Sequence, residues 1–150
     1  MKSRLQAYLA EKPANVSRQT LIFLATICHD LGKEESLIET SPGNFSAPAH
    51  ELLGVGYAKQ YLEQLDLTDF EKDWIFRFII AHGYVHGLVD VKLKRIDGNF
   101  FSLYRKSVGD LDAGLLLFVY ADLLGSDLKK ADPEDFQAKT SAVEEMIGWI

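Results

Sequence analysis

Residues 20–31 read TLIFLATICHDL. From Leu21 to Cys28 this stretch is apolar nearly all round at helical spacing, so it predicts a central, buried helix rather than a surface helix with one greasy face. Ser17 is placed to cap its N-terminus. Gly32 is placed to stop it in a left-handed conformation. His29 and Asp30 stand together near its end, and a polar pair there is costly unless each group finds a partner.

Outward from this segment the chain reads as helices. Leu5, Leu9 and Ala10 predict a short first helix that ends before Pro13. Residues 33–47 predict a loop, with turn chemistry at Ser41-Pro42-Gly43. Pro48 suits the first turn of a helix through AHELLGVGYAKQYLEQL, residues 49–65. Gly54 and Gly56 cost helix propensity there, which predicts close packing against a neighbour. Thr68 and Glu71 match a capping box that opens the next helix, and Gly83 is expected to end it. Residues 83–97 then read as looser, with Gly83, Gly87 and Asp97-Gly98. Two helices are expected over 99–108 and 111–127, and Asp132-Pro133 caps a last one. No alternating strand pattern appears. The expectation is an all-α chain of six or seven helices in a single domain spanning residues 1–150.

Composition sets the outer bounds. With 150 residues, 47% hydrophobic and 25% charged, the chain has an ordinary globular composition. No apolar run approaches the ~20 residues of a membrane span. The N-terminal MKSRLQAYLAEK lacks the apolar stretch and cleavage site of a signal peptide. Cys28 is the only cysteine, so no internal disulfide forms, and a reducing cytoplasm is the expected location, with no membrane partner. The net charge of −6 is unevenly placed: residues 1–109 balance 13 Lys/Arg against 13 Asp/Glu, while residues 110–150 carry 3 Lys and 9 Asp/Glu. A basic stretch with Lys92, Lys94, Arg95, Arg105 and Lys106 could meet phosphates, but the overall balance argues against a general nucleic-acid coat, and a solvated face is the plainer reading.

All four histidines, His29, His50, His82 and His86, lie within one part of the chain. Imidazole nitrogen and carboxylate oxygen together suit Mn, Fe, Ni or Zn, whereas thiolate sites need cysteines this chain lacks. Neighbouring helical residues point about 100° apart, so His29 and Asp30 serve one ion only if other helices bring ligands to it. His50, His82 and Asp122 are the candidates; Asp122 interrupts an otherwise apolar run. Each also has a plain structural reading. His29 could bond a backbone carbonyl, Asp30 could accept at a helix end, and His50 could be solvated near a helix start. His82 could favour a helix C-terminus, and Asp122 could pair with an arginine. His86 shares a face with His82 only if the helix continues past Gly83.

FLATICHDLGKEES, residues 23–36, resembles the central motif of the HD superfamily of metal-dependent phosphohydrolases. FSAPAHELLGVGYAKQYLEQLDL, FIIAHGYVH and FSLYRKSVGDLDAGLLLFVYADLLGSD are similar to three later segments of one branch of it. That branch is the HD domain found C-terminal to the nucleotidyltransferase core of bacterial CCA-adding enzymes and poly(A) polymerases. The likeness runs over residues 5 to 130 or so. It implies an all-α HD-type helical bundle and a divalent metal (Mn, Fe, Ni, Mg or Zn). By the resemblance the metal ligands fall on His29, Asp30, His50, His82 and Asp122. Lys33 follows the doublet, where it could touch a substrate phosphate.

The implied activity is hydrolysis of a nucleotide or RNA phosphoester. Asp30 would act as ligand or proton acceptor, and Lys33, Arg95 and Arg105 would neutralise substrate charge. A further family histidine would fall at or before Met1, and residues 1–28 contain none. That leaves either a first ligand outside this chain or an incomplete set. Nothing resembles the nucleotidyltransferase signature, so polymerising activity is not expected. The alternative is a non-catalytic helical module that positions RNA, such as a tRNA, or a protein partner. A third reading is that these polar residues merely satisfy one another.

Overall fold

The computed structural model describes residues 2–95 and 100–148, except for the side chains of residues 2, 100–102 and 105. Among these residues the chain is predominantly helical, as expected. The longer helices are α1 (Lys2–Ala10), α2 (Arg18–Cys28), α4 (His50–Leu62), α5 (Asp69–Lys92), α6 (Phe100–Val108), α7 (Asp112–Gly125) and α9 (Pro133–Ile147). Two single turns, α3 (Lys33–Ser36) and α8 (Leu128–Ala131), and a 3-10 turn over Gly109–Leu111 complete the set, with a hairpin of β1 (Ile38–Ser41) and β2 (Asn44–Ser46). No described helix is long and apolar enough to cross a membrane.

The chain divides into two compact units: Tyr8–Ala81, and Met1–Ala7 with His82–Ile150. In the first, Leu21 and Ala25 of α2, Ala58 and Leu62 of α4, and Trp74, Ile75, Phe78 and Ile79 of α5 are buried. Trp74 stacks on Phe78, ring centroids 5.4 Å apart. The expected caps are present. Ser17 accepts from the Thr20 backbone N–H at 3.2 Å, and Thr68 and Glu71 form the reciprocal box, with Thr68 N donating to Glu71 Oε2 at 2.9 Å and Glu71 N to Thr68 Oγ1 at 3.2 Å. Glu71 does more than cap. It is fully buried, and its Oε1 accepts 2.7 Å bonds from the backbone N–H groups of Asn15 and Val16. One carboxylate thereby ties the loop before α2 to the start of α5.

In the second unit α7 buries Leu115, Leu116, Phe118, Val119 and Leu123, and packs chiefly on α9. Tyr120 donates to Glu144 at 2.6 Å across that contact. Lys92 reaches Glu145 of α9 at 2.6 Å, and the Asp132 side chain caps α9 by accepting from Asp135 N at 3.0 Å.

Several local expectations fail, each for a physical reason. α5 does not end at Gly83 but runs through Gly83 and Gly87 to Lys92. Glycine in a helix costs about 1 kcal/mol, whereas burying Val85, Leu88 and Val89 on the continuing helix returns roughly 1.5–3 kcal/mol each. Gly32 is not left-handed: its φ is −85°, and its role is close approach. The left-handed residue is Ala49, with φ 58°, so α4 starts at His50 and Pro48 lies outside it. A Cβ at Gly56 would meet nothing within 4 Å among the described residues, so no close packing explains that glycine. The expected loop over 33–47 contains α3 and the hairpin; the Pro42-Gly43 turn holds, with Gly43 at φ 78°, but every hairpin residue is exposed, so burial imposed no alternation on the sequence. The Asp97-Gly98 turn lies outside the described residues.

Burial pushes the Glu71 carboxyl up, but donors from Val16, Thr68 and Asn15 favour the anion by more, and its pKa falls below the ordinary value. A depressed carboxyl contributes stability fully above its unfolded value of about 4.3, and loses it as pH falls through the folded value. Glu71→Gln is expected to cost about 1.5–3 kcal/mol in urea unfolding at pH 7. It should also flatten the acid limb of the stability profile; an unchanged limb would show that Glu71 is not one of its carboxylates.

Candidate metal centre

The His-Asp doublet lies in the turn that follows α2, not in its last turn. His29 is the C-cap, with φ −59° and ψ −34°, and backbone bonds from Leu31 N to Cys28 O (3.3 Å) and Lys33 N to Asp30 O (3.0 Å) curl the chain into α3. What lets this turn reach α4 is the missing side chain at Gly32. A Cβ there would stand 2.1 Å from the His50 carbonyl oxygen and 2.6 Å from Gly54 N, separations that backbone atoms cannot relieve without moving. The expectation of close packing is thus met around Gly54, which is buried.

The two histidines of this unit are set in the same way. His29 Nδ1–H donates to the Thr26 carbonyl at 2.7 Å, and His50 Nδ1–H to the Ala47 carbonyl at 2.7 Å. Each acceptor lies three residues upstream. This hydrogen bond makes Nδ1 the donor and turns Nε2 away from it, the orientation in which imidazoles ligate metals. His29 Nε2 lies 3.1 Å from Asp30 Oδ2, and His50 Nε2 lies 3.6 Å from Asp30 Oδ1.

The Asp30 carboxylate is divided in its surroundings. Oδ2 accepts a 2.7 Å bond from Lys33 Nζ and faces His29. Oδ1 is buried and, among the described residues, has no hydrogen-bond partner, which is expensive for a carboxylate oxygen unless something else satisfies it. Burial raises the Asp30 pKa, but bonds to His29 and Lys33 lower it by more, so the group is held well below the usual carboxylate range. A carboxyl held that low is a weak proton acceptor and a good anionic ligand.

His82, the residue after Ala81 on α5, is buried, and its ring meets Phe118 edge-on at 5.7 Å. Asp30, His50 and His82 each offer one ligand atom, and these atoms lie within 4.8 Å of one another. Donors about 2.0–2.2 Å from an ion sit roughly 3–4 Å apart, so the 3.6 Å between His50 Nε2 and Asp30 Oδ1 already has the spacing of two ligands to one cation. The donor set, the unpartnered oxygen and the two-imidazole chemistry fit a divalent metal.

The other sequence candidates are not members of this group. His29 touches Asp30 but does not belong to this group, and neither does Asp122, which is half-buried on α7. The helix does continue past Gly83, so His86 follows His82 by one turn, but it is exposed and outside the group. Lys33 is half-exposed, with its ammonium on Asp30. Arg95 is engaged by Asp135 and Asp90, and Lys92 by Glu145, all acids of the same unit. The side chain of Arg105 lies outside the described residues. The carbonyls of Thr26 and Ala47, which orient the imidazoles, have no signature in sequence. Gly32 is a signal in the sequence, but of a close approach rather than of a left-handed helix stop.

Comparison of the chain with family models, with curated proteins and with solved structures finds no match.

Gly32→Ala is expected to cost about 1–3 kcal/mol, the usual penalty of forcing a methyl into a filled space, and to weaken divalent-metal binding at least tenfold by parting His50 from Asp30. Gly56→Ala on the same region of chain, with nothing within 4 Å of the new methyl, should instead gain about 0.5–1 kcal/mol. Chemical unfolding and metal titration of the two variants check both; a harmless Gly32→Ala would remove the close approach from the account.

Proposed function

We propose that the chain is an HD-type metal-dependent phosphohydrolase acting on a nucleotide or RNA phosphoester. The observation that carries this reading is the buried, unpartnered Oδ1 of Asp30 beside the outward Nε2 of His50 and within reach of His82. The ordered sequence resemblance supports it independently.

In this reading Asp30, His50 and His82 hold the cation, and His29 supports Asp30 from the side. When bound, a divalent ion supplies charge to the phosphoryl oxygens and acidity to a coordinated water. The chain's own residues do the rest. Asp30 stays ionised and anchors the site, with Oδ2 held by Lys33 and His29 so that Oδ1 keeps its aim. The Lys33 ammonium has three donors. One is committed to Asp30, and the others are free to take a phosphate oxygen, since half of the side chain is exposed. The Ala47 carbonyl takes the Nδ1–H of His50 and leaves its Nε2 beside Asp30 as the nitrogen able to ligate, while the Thr26 carbonyl orients His29 against Asp30 Oδ2.

The alternative of a non-catalytic, RNA-positioning module finds less support, because Lys92 and Arg95 are paired with acids rather than presented to a polyanion.

Hydrolysis of bis-p-nitrophenyl phosphate with added Mn²⁺ or Ni²⁺ tests the proposal. Asp30→Asn keeps the shape and removes the charge; it is expected to lower the rate by at least about 100-fold, since loss of a ligand exceeds the 10–100-fold that follows loss of a ligand's supporting partner. Lys33→Met should lower it less and mainly weaken phosphate affinity. Equal rates for wild type and Asp30→Asn would remove the catalytic reading and leave the scaffold.

A further inference from the structure

α3 and α4 border a cavity of about 520 Å³ lined by Leu31, Glu34, Glu35, Tyr57 and Tyr61. Its lining combines two carboxylates, two phenol rings and one aliphatic side chain, with no lysine or arginine. Tyr57 and Tyr61 are one turn apart on α4 and so share a face. The Tyr57 hydroxyl donates to Glu35 at 2.5 Å, which fixes that ring and occupies its donor. Glu34 makes no hydrogen bond or ion pair among the described residues. The neighbouring ammonium of Lys33 turns to Asp30 instead.

This lining selects a class of ligand by exclusion. A phosphate or carboxylate would meet Glu34 and Glu35 with no cation to offset them. A neutral heterocycle would find acceptors for its N–H groups but only the Tyr61 hydroxyl to satisfy its own acceptors. A hydrated metal ion wants more oxygen or nitrogen ligands than two carboxylates supply, and among the described residues the only group able to hold one is that of Asp30, His50 and His82. A weakly hydrated cation with an apolar envelope meets every wall. Its methyl or methylene groups suit the phenol faces and Leu31, and its charge suits Glu34.

We propose that this cavity is a binding site for an alkylated organic ammonium ion of the choline type, held by the Tyr57 and Tyr61 rings and the free Glu34 carboxylate. Its lining shares no residue with the metal centre, and its occupancy does not depend on the function proposed above.

Calorimetric titration of the chelator-treated chain with choline chloride tests this, with potassium and ammonium chloride at matched ionic strength as comparisons. Metal is thereby removed from the experiment, so its outcome stands apart from that of the hydrolysis assay. Saturable binding of choline but not of potassium is expected. Glu34→Gln and Tyr61→Leu should each weaken it at least fivefold, while Tyr61→Phe, which keeps the ring, and Glu63→Gln, outside the lining, should leave it within twofold. Glu34 and Tyr61 are exposed, so these variants keep the fold, which circular dichroism verifies. Choline binding no better than potassium, or equal binding by wild type, Glu34→Gln and Tyr61→Leu, would overturn the proposal.

Discussion

The turn through Gly32 comes so near the start of α4 that a single added carbon would stand 2.1 Å from the His50 carbonyl. That contact is backbone against backbone, and no side chain can substitute for it. Because of it, residues twenty apart in sequence are brought together: Asp30 before the turn and His50 after the hairpin, with Oδ1 and Nε2 at 3.6 Å. The hairpin between them is fully exposed and serves as a connection. The left-handed Ala49 completes the geometry by starting α4 at His50 itself.

Around that contact the polar groups are arranged by simple local rules. Both imidazoles spend Nδ1 on the carbonyl three residues upstream, which leaves Nε2 outward by default. Lys33 and His29 take one oxygen of Asp30, and the other is left buried without a donor. A fold that merely tolerated a buried carboxylate oxygen would be expected to give it a donor. Glu71 supplies the contrast within the same unit. It is buried throughout, where only one oxygen of Asp30 is, but both its oxygens accept bonds from Asn15, Val16 and Thr68, and its role is structural.

Much of the helical framework was legible because its signals are local or strongly periodic. Ser17, the Thr68–Glu71 box and Asp132-Pro133 are capping signals that act within four residues, and all three hold. What failed needed tertiary information. Gly83 reads as a stop because propensity speaks for one residue, while the burial of Val85, Leu88 and Val89 that overrides it depends on distant neighbours. Gly32 and Gly56 are indistinguishable as letters; only the structure separates a glycine that admits a backbone from one that faces open space. Of the candidate ligands, Asp30, His50 and His82 come together, whereas His29 and Asp122 do not join them. The pairing of His29 with a backbone carbonyl was one of the alternatives its sequence context left open. The Glu34, Glu35, Tyr57 and Tyr61 cavity had no motif at all, since two acids on one turn and two tyrosines on another become neighbours only when α3 meets α4.

The central claim is that Asp30, His50 and His82 hold one divalent cation. It is tested most directly by adding Co²⁺ to the chelator-stripped chain and following the visible d–d absorption. The account predicts a saturable spectrum of nitrogen and oxygen ligation, without thiolate charge transfer, that is lost in both His50→Gln and His82→Gln. A signal that fails to saturate, or one that survives both substitutions, would contradict it.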